Sequence, residues 1–247
     1  MVWLGDILSG DFGRSIGSGD RVLPLMLERF QVSAIIVLAA VSLATLFAVP
    51  LGMFAAWRQG TVWDLSAVAL STLLLSIPSF WLGLMILMFF GLTLGWLPVL
   101  GTVAISGGTS LVVAMAMPVM TLFLIEMGSI VRMTRASTIE VLRQEYITHA
   151  RAKGLGEWAV MWRHAFLNAF APTWTLIGLI LGALLGGIAV VETVFTVPGL
   201  GRIVVQGIYT RDYPVVQGCI LLIAVSYVVV DLLIDMVYPF FDPKVAR

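Results

Sequence analysis

Few residues of this chain have the types and spacing that would support chemistry. The two histidines, His149 and His164, lie 15 positions apart and make a poor metal site. The two lysines, Lys153 and Lys244, precede Gly and Val, so neither completes the phosphate-binding pattern Gly-x-x-x-x-Gly-Lys-[Ser/Thr]. No Ser/His/Asp arrangement has support either. We therefore expect no catalytic residue, no metal and no cofactor bound by this chain.

The composition indicates that the bilayer is the solvent of the fold. Of the 247 residues, 60% are hydrophobic and 11% are charged, whereas a soluble domain carries about 25% charged residues. A water-soluble core of this size would not hide so much apolar surface. The formal net charge is +0. We therefore expect an all-α, polytopic membrane protein, surrounded by lipid and without a nucleic-acid partner.

Five stretches are long and apolar enough to span a membrane, which takes roughly 20 residues each. Turn residues between Gly95 and Gly108 divide the longest uncharged run into two of them. Pro78 is expected to kink the second, because proline removes a backbone hydrogen bond. The predicted spans, within one transmembrane domain over 30–247, are 30–57, 65–94, 111–131, 166–191 and 213–238.

The distribution of basic residues predicts the orientation. The segment 132–164 contains six Lys or Arg residues, whereas the connection between the second and third spans contains no charge. Basic loops favour the cytoplasmic side. We therefore place 132–164 and the C-terminus in the cytoplasm, and the N-terminal segment 1–29 outside.

Part of this cytoplasmic segment has the pattern of a short helix. Tyr146, Ile147 and Ala150 recur at helical spacing, and Gly154 follows as a stop signal. This pattern predicts a helix over about 144–153. The small residues Ala150 and Gly154 would let another surface approach closely.

A pair of tryptophans follows this helix. Trp158 and Trp162 are four positions apart and share one helix face. Tryptophan favours the membrane–water interface, where its ring meets apolar chains and its N–H meets water. We interpret the pair as an interfacial anchor.

Two aspartates lie inside the fifth span. Asp231 and Asp235 are four apart and share one face of the helix. Ionisable groups in a bilayer are costly and usually find a partner. We expect a structural role, with Asp235 pairing with Arg132, Arg135 or a helix terminus.

The run from Tyr146 to Gly156 resembles the EAA signature of ABC importer permeases, a short cytoplasmic helix that fits a groove on the ATPase subunit. Thr148 and His149 depart from the usual Glu and first Ala. Other matches resemble the dipeptide, oligopeptide and nickel branch and cover nearly the whole chain. They comprise residues 10–15, 76–83, 94–98, 134–137, 192–195, 198–201, 211–214 and 238–243. The EAA match itself continues downstream at 163–165, 168–169 and 172.

The resemblance implies a type I ABC importer transmembrane fold of the MetI-like kind, in the cytoplasmic (inner) membrane of a bacterium or archaeon. It implies a homologous permease subunit as the partner in a heterodimer, two ATPase subunits that use ATP and Mg, and an extracytoplasmic substrate-binding protein. It assigns coupling to the ATPase to Tyr146, Ile147, His149, Ala150, Arg151, Ala152, Lys153, Gly154 and Leu155. It assigns an external gate loop to Glu192, Pro198, Gly199 and Gly201.

The front of the chain departs from the resemblance. The family has one more membrane helix before the motif at 10–15, and a polar external N-terminus without a signal sequence would have to cross the membrane unaided. We therefore expect that the family's first helix is missing from this sequence.

A glycine ridge in the fourth span predicts close helix packing. Gly178, Gly182 and Gly186 are spaced four apart, which lets two helix backbones approach closely. The ridge has two candidate partners, which are another helix of this subunit and the partner permease.

The expected function is ATP-driven import of di- or oligopeptides by a subunit without an ATPase site of its own. The same machinery importing nickel or another metal chelate, glutathione or another small solute is the first alternative. A secondary transporter would have inverted repeats and carboxylates at mid-membrane, and the sequence has no such pattern. An inactive fragment is the remaining alternative.

Overall fold

A computed structural model describes residues 5, 7, 9–101 and 110–241, and within them the fold is helical with no strand. Gly108, Lys244 and the end of the match at 238–243 lie outside the described residues. The helices are α1 Val22–Trp57, α2 Val62–Ser76, α3 Ser79–Thr93, α4 Leu111–Leu142, α5 Glu145–Ala152, α6 Glu157–Gly187, α7 Ala189–Val194, α8 Leu200–Thr210 and α9 Tyr213–Phe240.

Helices α1, α4, α6 and α9 are each long and apolar enough to cross a membrane. The pair α2 and α3 is a further candidate, bent by 98° at the break between its helices. The kink predicted at Pro78 is therefore a full break, and Ile77 before it is extended (φ −88°, ψ 125°), as the residue before a proline prefers. The all-α polytopic fold is confirmed for the described residues, with four spans, or five if the bent pair is one.

Helix α1 begins before the predicted start of the first span. Val22 and Met26 are buried in a cluster with Leu200 and Cys219, so apolar packing continues the helix towards the N-terminus. The charge-free stretch alone marks where the chain is apolar enough for lipid. It does not mark where the helix starts.

The described helices contribute to two compact units. The first comprises Met1–Ala39, Ser79–Thr121 and Gly182–Val228, and the second comprises Ala40–Pro78, Leu122–Leu181 and Val229–Arg247. The first unit contains α7, α8 and the loop between them. The second contains α5.

The glycine ridge of α6 lies against α9 of the same chain. In the second unit, a Cβ atom on Gly178 would lie 2.6 Å from Ile234 Cγ1. In the first, a Cβ on Gly182 would lie 2.5 Å from the ring of Tyr227. A Cβ on Gly186 would meet its nearest atom, on Ile223, only at 3.9 Å. These contacts support packing within the subunit. They show that Gly178 and Gly182 leave no room for a side chain, whereas Gly186 does.

Candidate functional site

Helix α5 is fixed on one side by its own chain. Ile147 and Ala150 are buried, and α5 packs against the first turns of α6, at Val160–Ala165. Gly154 has a positive φ of 80°, which glycine adopts without strain and which ends the helix before the chain turns into α6. The buried pair is three positions apart, so one narrow apolar stripe attaches the helix.

The other side of α5 carries polar atoms outward. Arg151 forms an exposed bidentate ion pair with Glu157 at 2.9 and 3.1 Å. Tyr146 accepts a hydrogen bond from Asn168 Nδ2 at 2.8 Å, which joins α5 to α6. The other exposed candidate coupling residues are His149, Ala152, Lys153, Gly154 and Leu155. Ala150 differs from them, since it packs inside this chain and its small side chain is not on the surface.

A bidentate ion pair joins α2 to α4 in the same unit. Arg135 Nε and Nη2 donate to the two carboxylate oxygens of Asp64 at 2.5 and 2.8 Å. Asp64 is buried and also accepts a hydrogen bond from the Gly60 N–H at 3.0 Å. Of the three partners expected for Asp235, Arg135 is therefore paired elsewhere, with Asp64.

The loop between α7 and α8, residues 195–199, is organised by a buried carboxylate. Glu192 is fully buried and accepts hydrogen bonds from the Ser33 hydroxyl and from the Arg202 N–H, the latter at 2.8 Å. Ser33 Oγ in turn accepts the Leu200 N–H at 2.8 Å. A Cβ on Gly199 would collide with the Glu192 carboxylate. The position of Gly199 therefore needs glycine so that backbone and carboxylate can meet.

Two guanidinium groups donate hydrogen bonds to backbone carbonyls of the α7–α8 loop. Arg29 Nη1 donates to the Pro198 carbonyl at 3.4 Å, and Arg202 Nη1 donates to the Thr196 carbonyl at 2.9 Å. A Cβ on Gly201 would lie 2.6 Å from the backbone of Ala189, so α7 and α8 also meet closely. Arg29, Pro198, Gly199 and Arg202 line a cavity of about 210 Å³, together with Ile203 and Gln206.

A second carboxylate of the first unit holds the segment before α1. Asp212, between α8 and α9, accepts hydrogen bonds from the Ser15 hydroxyl and from the backbone N–H groups of Ile16 and Gly17. Burial raises the pKa of Asp212, but hydrogen bonds from these three donors and from the Val215 N–H outweigh it, so the pKa lies below its usual value. The carboxylate is therefore kept ionised and keeps the segment in place.

Residues 48–247 match the family described as the binding-protein-dependent transport system inner membrane component. The matched range contains α5, the α7–α8 loop and Glu192, whereas Arg29 and Ser33, which also hold that loop, precede it. The chain belongs to this family. It is a multi-pass permease of an ABC importer in the inner membrane, which confirms the resemblance.

Relatives of this permease cover nearly its whole length. It is 36% identical to a probable peptide ABC transporter permease of Sinorhizobium fredii, over 98% of this chain and 78% of that protein. It is 35% identical to the oligopeptide transport system permease AppB of Bacillus subtilis, over 99% of this chain and 79% of that protein. It is 37% identical to the dipeptide transport system permease DppB of Escherichia coli, over 99% of this chain and 78% of that protein.

A solved structure shares the fold of the permease. The crystal structure of an amino acid ABC transporter with histidines matches with a TM-score of 0.58 and 17% identity, over 90% of this chain and 94% of that chain. At this identity the likeness concerns the fold alone.

Sequence reasoning missed the polar partners that fix the permease's candidate sites. Asp64 and Ser33 stand singly at the edge of, or inside, apolar runs and belong to no local pattern. The available signal was their isolation, since a polar group buried among apolar residues needs a partner. Among the described residues, no three His, Cys, Asp or Glu side chains gather in a metal-binding group.

Proposed function

We propose that this permease translocates di- or oligopeptides and that helix α5 receives the work of a separate ATPase subunit. The observation that carries the coupling role is the two-sided character of α5, with Ile147 and Ala150 buried and His149, Arg151 and Lys153 exposed. The peptide cargo is supported by the relatives from three bacteria that are named as peptide, oligopeptide and dipeptide permeases.

The proposed assembly has separate parts for energy, delivery and passage. A homologous permease pairs with this one as a heterodimer and lines the path with it. Two ATPase subunits use ATP and Mg on the cytoplasmic side, where 132–164 lies in this proposal. An extracytoplasmic binding protein delivers the peptide. This permease has no ATPase site and binds no cofactor of its own.

The attachment of α5 explains how a push on it reaches a membrane helix. Helix α5, whose Ile147 and Ala150 are buried, packs against the first turns of α6, and Asn168 of α6 donates to the Tyr146 hydroxyl. These contacts are short and close-packed, so a displacement of α5 moves the start of α6 with it. Rigid-body motion of packed helices is one of the ways in which proteins switch between two states.

The α7–α8 loop is the proposed external gate. Glu192, Pro198, Gly199 and Gly201 belong to one connected arrangement in which a buried carboxylate fixes a tight turn. A loop held in this way keeps one shape and moves as a unit with α7 and α8. Such a loop suits a surface on which a binding protein opens and releases its cargo.

Cross-linking tests the docking of α5. In a Cys219→Ala background, His149→Cys places a thiol on the exposed side of α5, and Gln59→Cys places one on an exposed turn outside it as the matched control. We expect a bifunctional thiol reagent to link His149→Cys, and not Gln59→Cys, to the ATPase of the assembled transporter. Links from neither position in any nucleotide state, or equal links from both, would contradict docking at α5.

Uptake competition tests the cargo. Cells whose only peptide importer contains this permease should lose labelled-dipeptide uptake when excess unlabelled di- or tripeptide is added. They should keep it when free amino acids or a nickel chelate is added. Competition by the chelate alone would show that the cargo is a metal complex and not a peptide. The proposed coupling role of α5 would be unaffected.

A further inference from the structure

An apolar groove in the second unit has no part in the function proposed above. It lies between the end of α1 and the start of α6 and has a volume of about 250 Å³. Its lining includes Met53, Phe54 and Trp57 of α1 and Trp158, Met161 and Trp162 of α6. None of the described residues that line it is titratable.

The rings around the groove face outward. Trp158 is 74% exposed, and Trp57 and Trp162 are each 39% exposed. In an inner-membrane protein, tryptophans gather where headgroups meet acyl chains. A groove bordered by three of them therefore lies at the depth where the upper part of an acyl chain meets its headgroup.

A positive charge stands at one end of the groove. The Arg58 guanidinium lies 4.5 Å from the ring centroid of Trp57. Glu157, which adjoins the groove in sequence, is paired with Arg151, and Asp64 is paired with Arg135. Within residues 9–101 and 110–241, Arg58 forms no ion pair. Guanidinium groups match phosphate in geometry and charge.

We propose that the groove binds one acyl chain of an anionic phospholipid, whose headgroup phosphate pairs with Arg58. The apolar lining accepts the chain, the tryptophans fix its depth, and Arg58 selects for negative charge. The site rests on family membership and not on the peptide cargo or on docking at α5. Since Trp158 and Met161 closely follow α5 in the chain, the lipid would contact the segment that links α5 to its membrane helix.

Photolabelling of the complete transporter tests the site. The probes are phosphatidylglycerol and phosphatidylcholine, each with a diazirine in the same acyl chain, in nanodiscs of matched composition. We expect phosphatidylglycerol to label peptides containing residues 50–57 and 158–162 more strongly than phosphatidylcholine does. Equal labelling by both lipids, or no labelling of these peptides while others are labelled, would overturn the proposal, the latter because protein would then cover the groove.

Two variants separate the chain contact from the charge contact. Arg58→Gln should lower labelling by phosphatidylglycerol about fivefold, the effect of one basic residue near a membrane surface. It should lower labelling by phosphatidylcholine much less, because the choline cation of that lipid already offsets its phosphate charge. Arg143→Gln is the matched control, an exposed arginine away from the groove. Trp158→Ala should lower labelling by both lipids, whereas Trp96→Ala, at 69% exposure and in the first unit, should not. Equal effects of a variant and its control would overturn the site.

Discussion

The α7–α8 loop and helix α5 are both held in place by their own chain, but by opposite means. In the loop, polar atoms point inward, and Glu192 gathers a hydroxyl and a backbone N–H around a fully buried carboxylate. In α5, apolar side chains point inward, and the charges of Arg151 and Lys153 remain on the surface.

The two arrangements have different consequences: the first fixes the shape of the loop, and the second leaves a helix surface available to another molecule. A buried carboxylate with neutral donors fixes one backbone shape, because any other shape leaves the donors or the carboxylate unpaired. An apolar stripe under a polar surface fixes the position of a helix and leaves its hydrogen-bonding groups for another molecule. Substitutions in the loop should therefore change stability, and substitutions on the surface of α5 should change coupling.

The largest effect is expected for Glu192→Ala. It leaves the Arg202 N–H without its acceptor, at about 1–3 kcal/mol for a buried group, and removes the shorter hydrogen bond of the Ser33 hydroxyl, which keeps the Arg29 carbonyl at 3.3 Å. We expect the free energy of unfolding to fall by about 3 kcal/mol, measured by denaturation of the purified permease in detergent. Glu192→Gln keeps one acceptor oxygen, so its free energy of unfolding should lie between those of the unsubstituted protein and Glu192→Ala. An alanine variant as stable as the unsubstituted protein would end the contrast between the two regions.

A double-mutant cycle on Asp64 and Arg135 asks whether polar anchoring is confined to the loop. This pair joins two helices of the unit that contains α5. We expect Asp64→Ala and Arg135→Ala each to destabilise the permease, with a coupling energy of about 2 kcal/mol. A coupling energy near zero would mean that apolar packing alone holds that unit together.

Substitutions in the glycine ridge show how much close helix packing contributes to stability, beside the polar contacts tested above. Gly182→Ala forces a methyl group into the ring of Tyr227 and should destabilise the permease by about 1 kcal/mol or more. Gly186→Ala has room and should be neutral or slightly stabilising, because alanine favours the helix. Thermal unfolding of both variants measures the difference, and the same loss in each would contradict the geometry.

Acid should loosen the segment that Asp212 holds. Because the pKa of this carboxyl is lowered in the folded state, its stabilising contribution is complete above the unfolded value of about 3.9 and is lost as the pH falls through the lower folded value. We expect the amides of Ile16 and Gly17 to lose protection from hydrogen exchange in that range. Asp212→Asn should exchange faster at neutral pH and respond less to acid.

The smallest effect on stability is expected on the surface of α5. His149→Ala and Lys153→Ala remove exposed side chains and should change the free energy of unfolding by less than about 0.5 kcal/mol. Peptide-stimulated ATP hydrolysis by the assembled transporter should nevertheless fall. A large loss of stability would show that these side chains serve the fold and not a partner.

The sequence was sufficient for the features that depend on local patterns. Long uncharged runs indicate the membrane helices, because lipid solvates only apolar side chains on a helix whose backbone groups are paired. The spacing of Tyr146, Ile147 and Ala150, with Gly154 as a stop, predicts a helix over 144–153, and the structure has one at Glu145–Ala152. Each of these signals lies within a few turns of the chain.

The features that escaped prediction depend on distant partners. Ser33 and Glu192 are 159 positions apart, and Asp64 and Arg135 are 71 apart. Hydrophobic periodicity shows which face of a helix is buried but not which polar group of another helix it meets. The bend after α2 was foreseen as a kink at Pro78, but its angle depends on tertiary packing.

The corner at Ile77 and Pro78 has a consequence for solvation. A helix that turns through 98° interrupts its ladder of backbone hydrogen bonds within an otherwise apolar stretch. Hydrocarbon offers no substitute donors or acceptors, so such a backbone is stable only beside protein or water. Pro78 is exposed in this chain alone. A corner at membrane depth would therefore need a neighbouring subunit or water, and not acyl chains, against Pro78.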